Sequence, residues 1–336
     1  MHFLHISFHK GCALEIEYVF TKLGHTVENM NFNFNNNGDD YIITHQKAQI
    51  CWDSFKDCFN TYDGIITSDT CPNARTFLQN NWSKLLIIWV VSRFDYSMPP
   101  ENIDPEFYSL LRDIPNRKNV RIFGNHPIEN IYATQIRNVN FGDFIIKPLG
   151  KNTISENITK KHDFNSKKVF YVPPYHNETI FMNLSGKLNQ LGIQHKCERF
   201  PNHISDLLEY TGVICIPYAF TSIVFFERMQ LGIVTFIPSI EFIIELAKSA
   251  KNPYGEGSFW FQTPFSLRNP EILYLSDWYS NEYAEMFVYF NSWEDLVYKI
   301  NTTNYEEKTH KVLEIAKKHN ETTMEKWRSV IDTQTA

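Results

Sequence analysis

The stretch Phe3-Leu4-His5-Ile6-Ser7-Phe8-His9-Lys10-Gly11-Cys12-Ala13-Leu14-Glu15-Ile16-Glu17-Tyr18-Val19-Phe20-Thr21-Lys22-Leu23-Gly24-His25-Thr26-Val27-Glu28 contains a whole supersecondary unit. Residues 3–8 read as a buried strand and His9-Lys10-Gly11-Cys12 as a turn. From Ala13 to Leu23 the apolar side chains recur at helical spacing. Gly24 supplies the C-terminal stop, and His25 opens a second strand. A strand, a helix and a strand in such quick succession require a crossover, hence a parallel sheet with a right-handed connection.

Outward from this unit the alternation continues. Residues 63–67, 84–91 and 120–123 read as further strands, with helices around 74–78 and 127–135, and 144–150 closes the first half. Residues 151–167, rich in Asn, Ser, Thr and Lys, have linker composition. A second series follows, with strands over 168–172, 194–198, 213–217, 233–237 and 287–290. Its helices are expected over 177–191, 204–210, 222–231, 239–249, 292–300 and 306–331. The expected class is α/β: two Rossmann-like, doubly wound domains facing across a cleft, over residues 1–155 and 166–305, with a closing helix over 306–336. Doubly wound sheets bind ligands at the C-terminal ends of their strands. That rule nominates His9-Lys10-Gly11, Ser68-Asp69-Thr70, Ser92-Arg93-Phe94-Asp95 and Gly124-Asn125-His126 in the first half. In the second half it nominates Pro173-Pro174-Tyr175-His176-Asn177 and Tyr218-Ala219-Phe220-Thr221-Ser222.

Composition narrows the function classes. A chain of 336 residues exceeds what one core usually serves, and 43% hydrophobic with 21% charged residues excludes a disordered chain. Aromatic residues, at 15%, can fill two cores and line a cleft, although a base-composition bias in the gene gives the same enrichment. The net charge of −6 provides no basic field for a nucleic-acid backbone, so nucleic acid is not an expected partner. Cys12, Cys51, Cys58, Cys71, Cys197 and Cys215 form no C-x-x-C pair and no zinc-ligand spacing, and are expected as free thiols of a reducing compartment. Met1-His2-Phe3-Leu4-His5 lacks the basic start of a signal peptide, and the longest apolar run, 85–91, is too short to cross a bilayer. The expectation is a cytoplasmic protein without a transmembrane segment. Its oligomeric state is not legible.

The chemistry concentrates in Gly212-Val213-Ile214-Cys215-Ile216-Pro217-Tyr218-Ala219-Phe220-Thr221-Ser222-Ile223-Val224-Phe225-Phe226-Glu227-Arg228-Met229-Gln230-Leu231-Gly232-Ile233-Val234-Thr235-Phe236-Ile237-Pro238. A strand leads through a hydroxyl-bearing turn into a helix, then a glycine break and a second buried strand. A helix opening at Thr221-Ser222 presents unpaired N–H groups and a positive dipole end, suited to a diphosphate. Glu227, in a largely apolar helix, needs a partner, and vicinal ribose hydroxyls are suitable. The structural alternative is that Ser222 merely caps the helix while Glu227 pairs with Arg228 or a neighbouring Lys.

This stretch resembles the nucleotide-sugar signature of GT-B glycosyltransferases, in which a helix glutamate binds the donor ribose and a glycine and a strand ending in proline follow, as at Glu227, Gly232 and Pro238. The resemblance extends loosely to Gly24-His25-Thr26-Val27 and to Phe290-Asn291-Ser292-Trp293-Glu294-Asp295-Leu296 with the helix reaching Trp327. It implies a GT-B architecture, a terminal helix crossing back to the first domain, and sugar transfer from a nucleotide-diphosphate sugar to a glycan, glycolipid, glycoprotein or other hydroxyl acceptor. A nucleotide-sugar epimerase and a non-catalytic sugar- or nucleotide-binding protein are the alternatives. Retaining members often carry a second glutamate where this chain has Ala219, so retaining and inverting chemistry both stay open.

For an inverting reaction the base belongs to the first domain, where Asp69, His9 and Asp95 are the candidates in that order. Each has a structural alternative, with Asp69 capping the next helix and His9 serving as a packed histidine. Donor binding falls to Glu227, Ser222, Thr221, Tyr218, Phe220, His176, Tyr175, Arg199 and Phe200, and acceptor binding to Lys10, Gly11, Arg93 and His126. No D-x-D motif occurs on a strand–turn segment, and Asp39-Asp40 sits in an Asn/Gly loop. No metal and no obligatory cofactor are expected.

Overall fold

The computed structural model describes residues 1–30, 42–96, 98–151, 162, 168–174, 182–198, 203–249 and 270–332. The chain divides into two compact units: Met1–Asn152 with Thr322–Ala336, and Thr153–Glu321. In the first unit β1 (His2–Ile6), β2 (Thr26–Met30), β3 (Gly64–Asp69), β4 (Leu85–Val90) and β5 (Val120–Gly124) form one sheet of order β2-β1-β3-β4-β5. Every pairing in it is parallel. The crossovers are α1 (Lys10–Lys22), α2 (His45–Phe59), a 3-10 turn Cys71–Ala74 running into α3 (Arg75–Gln79), and α4 (Pro105–Arg112), while α5 (Pro127–Arg137) follows β5. The second unit holds β6 (Phe170–Val172), β7 (His195–Cys197), β8 (Gly212–Ile214), β9 (Thr235–Pro238) and β10 (Phe287–Phe290), ordered β10-β9-β8-β6-β7 and again parallel throughout. Its described helices are α6 (Leu184–Gln190), α7 (Ile223–Gln230), α8 (Ile240–Ser249), α9 (Pro270–Leu273), α10 (Trp293–Thr302) and α11 (Tyr305–Asp332), the last continuing into the first unit.

Counted within its own unit, each sheet runs 2-1-3-4-5, so the winding direction reverses between the first and third strands. The expected α/β class with two Rossmann-like domains is thus present. Adjacent helix starts on opposite faces leave an opening at that reversal, between β1 and β3 in one unit and between β6 and β8 in the other. None of the described helices is long and apolar enough to cross a membrane.

Local chemistry explains the elements. Gly24, at φ +84°, ends α1, with the His25 amide donating to Phe20 O and the Gly24 amide to Thr21 O. Gly212 lies where a Cβ would stand 2.6 Å from Val234 O, so β8 and β9 can approach only because that side chain is absent.

The stretch 144–150, which closes the first half of the chain, touches the sheet through the bridge of Ile145 to Gly124. Its backbone is satisfied by side chains instead: Trp89 Nε1 donates to Ile146 O at 2.8 Å and Lys326 Nζ to Ile145 O at 3.0 Å. The buried Glu15 carboxylate accepts the amides of Leu149 and Gly150. Residues 204–209 form a 3-10 turn rather than an α-helix. Helices α2 and α4 were not foreseen, and α2 buries only Ala48, Cys51 and Phe59, a thin apolar stripe.

Candidate functional site

In the second unit the sequence from β8 to α7 meets the reversal point. The Cys215 amide donates to Phe236 O at 3.1 Å, carrying the ladder one residue beyond β8. The chain then leaves the sheet, held by Trp278 Nε1 donating to Ala219 O at 2.8 Å and the Asp277 amide donating to Phe220 O at 3.0 Å. Ser222 is the N-cap of α7 in extended conformation, yet its hydroxyl makes no capping bond. The capping alternative is therefore not what the side chain does. The Thr221 hydroxyl oxygen is buried and has no partner among the described residues. The Phe225 amide donates to Ser222 O at 3.0 Å, and among the described residues the remaining amides at the start of α7 meet no side-chain cap, which leaves backbone donors and a dipole end there.

Glu227 lies further along the same helix, 7% exposed. Its neighbours Phe225 and Phe226 fix the helix by edge contacts to Trp278 and Tyr283. Tyr218 is half-buried at the turn, whereas Phe220 is buried, and its backbone carbonyl takes part in holding the turn. Tyr175, His176, Arg199 and Phe200 lie outside the described residues.

In the first unit the reversal point gathers His9 and Asp69. His9 is exposed at the end of the β1 loop and caps α1, its Nδ1 accepting from the Cys12 amide at 3.3 Å. With Nδ1 accepting that amide, Nε2 is the ring nitrogen left to donate. Lys10 is exposed and Gly11 half-buried beside it. Asp69, the last residue of β3, has φ +80°, in the left-handed region that Asp tolerates better than most residues. One carboxylate oxygen accepts from Ser92 Oγ at 2.6 Å, and its carbonyl accepts the amides of Val91 and Ser92. Burial pushes the carboxyl above its usual range, against the opposing effects of the Ser92 hydroxyl and the nearby His9. It does not cap the following turn, whose N-cap is Thr70. Below the pair, His5 is sealed between Ser68 Oγ (2.9 Å) and Asn29 Oδ1 (2.8 Å), and burial lowers it to about 4, leaving it neutral.

The remaining first-unit candidates do not join this pair. Asp95 is a packed carboxylate: Arg137 Nε donates to it at 2.8 Å, Tyr108 and Tyr132 hydroxyls at 3.2 Å, and Arg93 pairs with it at 3.2 Å. With those partners it anchors the loop after β4, and Arg93 is held in the same cluster. Glu129 completes it by accepting the Phe94 amide at 2.6 Å, and burial pushes this carboxyl up to about 8. His126 is buried, and burial, then the positive Lys147, lower it to about 3. Ser92 stands in a loop the sequence nominates, but its bond to Asp69 was not foreseen, because only the parallel register, Asp69 opposite Val90, brings the two together. Among the described residues no three His, Cys, Asp or Glu side chains gather as a metal-binding group.

No protein-family model matches the chain, and no curated protein does. Solved structures do match in outline. The glycosyltransferase SnogD from Streptomyces nogalater aligns over 94% of this chain and 95% of its own, at 9% identity and a TM-score of 0.45. A putative UDP-N-acetylglucosamine 2-epimerase from Listeria monocytogenes aligns over 92% and 90%, at 10% identity and a TM-score of 0.47. The DNA-modifying enzyme β-glucosyltransferase, solved with and without its substrate uridine diphosphoglucose, aligns over 99% and 100%, at 11% identity and a TM-score of 0.45. These are proteins of the GT-B kind that the sequence resembles, and at such identities the likeness concerns the fold and no ligand.

Proposed function

We propose that this protein is a metal-independent GT-B glycosyltransferase that takes a nucleotide-diphosphate sugar on its second unit and a hydroxyl acceptor on its first. The observation that carries the reading is the start of α7: it lies at the sheet reversal point without a side-chain cap, and Glu227 follows in the same helix. The amides there suit a pyrophosphate, and the Glu227 carboxylate suits the two hydroxyls of a ribose. Asp69 is the base. One of its oxygens takes the acceptor proton while Ser92 donates to the other, and the Nε2–H of His9 orients the acceptor or steadies charge beside it. The acceptor oxygen then forms the new glycosidic bond as the sugar's bond to the diphosphate breaks, and the diphosphate leaves with the electron pair.

A thermal-shift screen against UDP, GDP, ADP, TDP and their sugars tests this reading. At ligand concentrations a hundredfold above Kd, binding stabilises by about 2.7 kcal/mol, a shift of several degrees. Glu227→Ala should abolish the shift for the best nucleotide. Absence of any shift in the unaltered protein overturns the reading. Conversion of a donor sugar without any acceptor would reassign the chain as an epimerase, and turnover should survive chelation by EDTA.

A further inference from the structure

The left-handed backbone of Asp69, at φ +80°, persists only if the peptides on both sides of its Cα are held. On the C-terminal side its own carbonyl accepts the amides of Val91 and Ser92. On the N-terminal side the peptide begins at Ser68, whose carbonyl accepts from Asn73 Nδ2 at 3.0 Å. The Ser68 side chain is fixed as well, by a run of bonds across three strands.

His5 of β1 stands opposite Asn29 of β2 and opposite Ile66 of β3. Ser68, two residues beyond Ile66, therefore shares its face of the sheet. The direction of each bond follows from the outermost one. Asn29 Nδ2 donates to Glu17 Oε2 at 3.0 Å, which leaves Asn29 Oδ1 to accept from His5 Nδ1–H at 2.8 Å. His5 Nε2 then carries the lone pair and accepts the Ser68 hydroxyl proton at 2.9 Å. The Cys12 thiol of α1 meets the same hydroxyl. His5 is 1% exposed, out of reach of any ligand, and its buried neighbours in β1, Phe3, Leu4 and Ile6, are apolar. A polar ring at such a position is costly unless every bond is made, and once they are made it holds its partners in one arrangement.

Resting on the reading of Asp69 as the base, we propose that His5 is a positioning residue: by holding the Ser68 hydroxyl it fixes the strand end from which Asp69 presents its carboxylate. The consequence falls on Asp69 itself. Burial raises its carboxyl, and the titratable groups beside it are His9 and the Cys12 thiol, both from the start of α1. A strand end released from His5 lets water reach the carboxylate, so its midpoint should fall while those neighbours are unaltered.

Carbon-13 titration of the aspartate carboxyls tests this, with the Asp69 signal assigned by its loss in Asp69→Asn. His5→Leu fills the site and removes both ring bonds. It should move the Asp69 midpoint down toward the ordinary carboxylate range. It should also lower kcat about ten- to a hundredfold and leave the nucleotide-induced thermal shift unchanged. Here kcat is the release of nucleoside diphosphate from the UDP, GDP, ADP and TDP sugars, with water as acceptor. An unchanged midpoint in a folded variant overturns the proposal, since a histidine that only stabilised the core would not move it. A lowered midpoint with unchanged kcat overturns it too, as does a thermal shift lost together with kcat. If His5→Leu does not fold, Ser68→Ala, which deletes one hydroxyl, decides by the same readouts. Full turnover in Asp69→Asn, or none in the unaltered protein, overturns the base reading itself.

Discussion

At the scale of single residues, the half-buried Asp69 and the buried Glu129 are two carboxyls with different consequences. Asp69 must lose its proton to act as a base, and burial raises the pH at which it does so. The rate should therefore rise with pH through a midpoint above the ordinary carboxylate range. Asp69→Asn keeps the left-handed backbone, which Asn tolerates as well as Asp. It should lower kcat by about 10²–10⁴ while leaving nucleotide affinity as it was, as steady-state kinetics and calorimetry would measure. Glu129 does not face the proposed chemistry and reports on stability. Its carboxyl is raised from an ordinary 4.5 to about 8, so the folded chain holds a proton that the unfolded chain releases. That contribution is complete below pH 4.5 and fades as pH rises to about 8, by at most about 1.4 kcal/mol per pH unit. Urea melts should have this slope, and Glu129→Gln should remove it. The sequence nominated the loop that holds Ser92 and Phe94, but which carboxyl each one meets was not legible, because sheet register and helix packing decide it.

At the scale of elements, the buried strands were readable because runs such as Leu85–Val90 are apolar at every position. The segment 144–150 has the same apolar look but gives its backbone to Trp89, Lys326 and Glu15, and composition contains no sign of such side-chain acceptors and donors. Helix α2 was missed for the opposite reason: its buried stripe is too thin to rise above its polar residues. The stretch 212–238 was legible as strand, turn, helix and strand because Gly212 opens it and Gly232 breaks it between the helix and the second strand. Gly212→Ala tests how closely that packing is set. The added methyl meets Val234 O at 2.6 Å, backbone that cannot swing aside, so the variant should lose about 1–3 kcal/mol in denaturant unfolding. Since β8 leads into the start of α7, its nucleotide-induced thermal shift should shrink as well.

At the scale of the whole molecule, α11 belongs to both units, contributing residues up to Glu321 to one and from Thr322 to the other. In the first unit Trp327 is fully buried and meets Phe20, Trp89 and Phe123 edge-on, with ring centroids 5.4–5.6 Å apart. Trp327→Ala should cost about 3–5 kcal/mol by calorimetric unfolding. Trp327→Phe should cost far less, because the buried indole N–H has no acceptor among the described residues. Tryptophan at this position thus completes a core whose other members were encoded some two hundred or more positions earlier. On the ribosome those members emerge first and wait, with an unfilled apolar hollow, while the entire second unit is synthesised. The unit begun first is the one finished last, and a nascent chain stalled before Trp327 presents that hollow to chaperones and proteases.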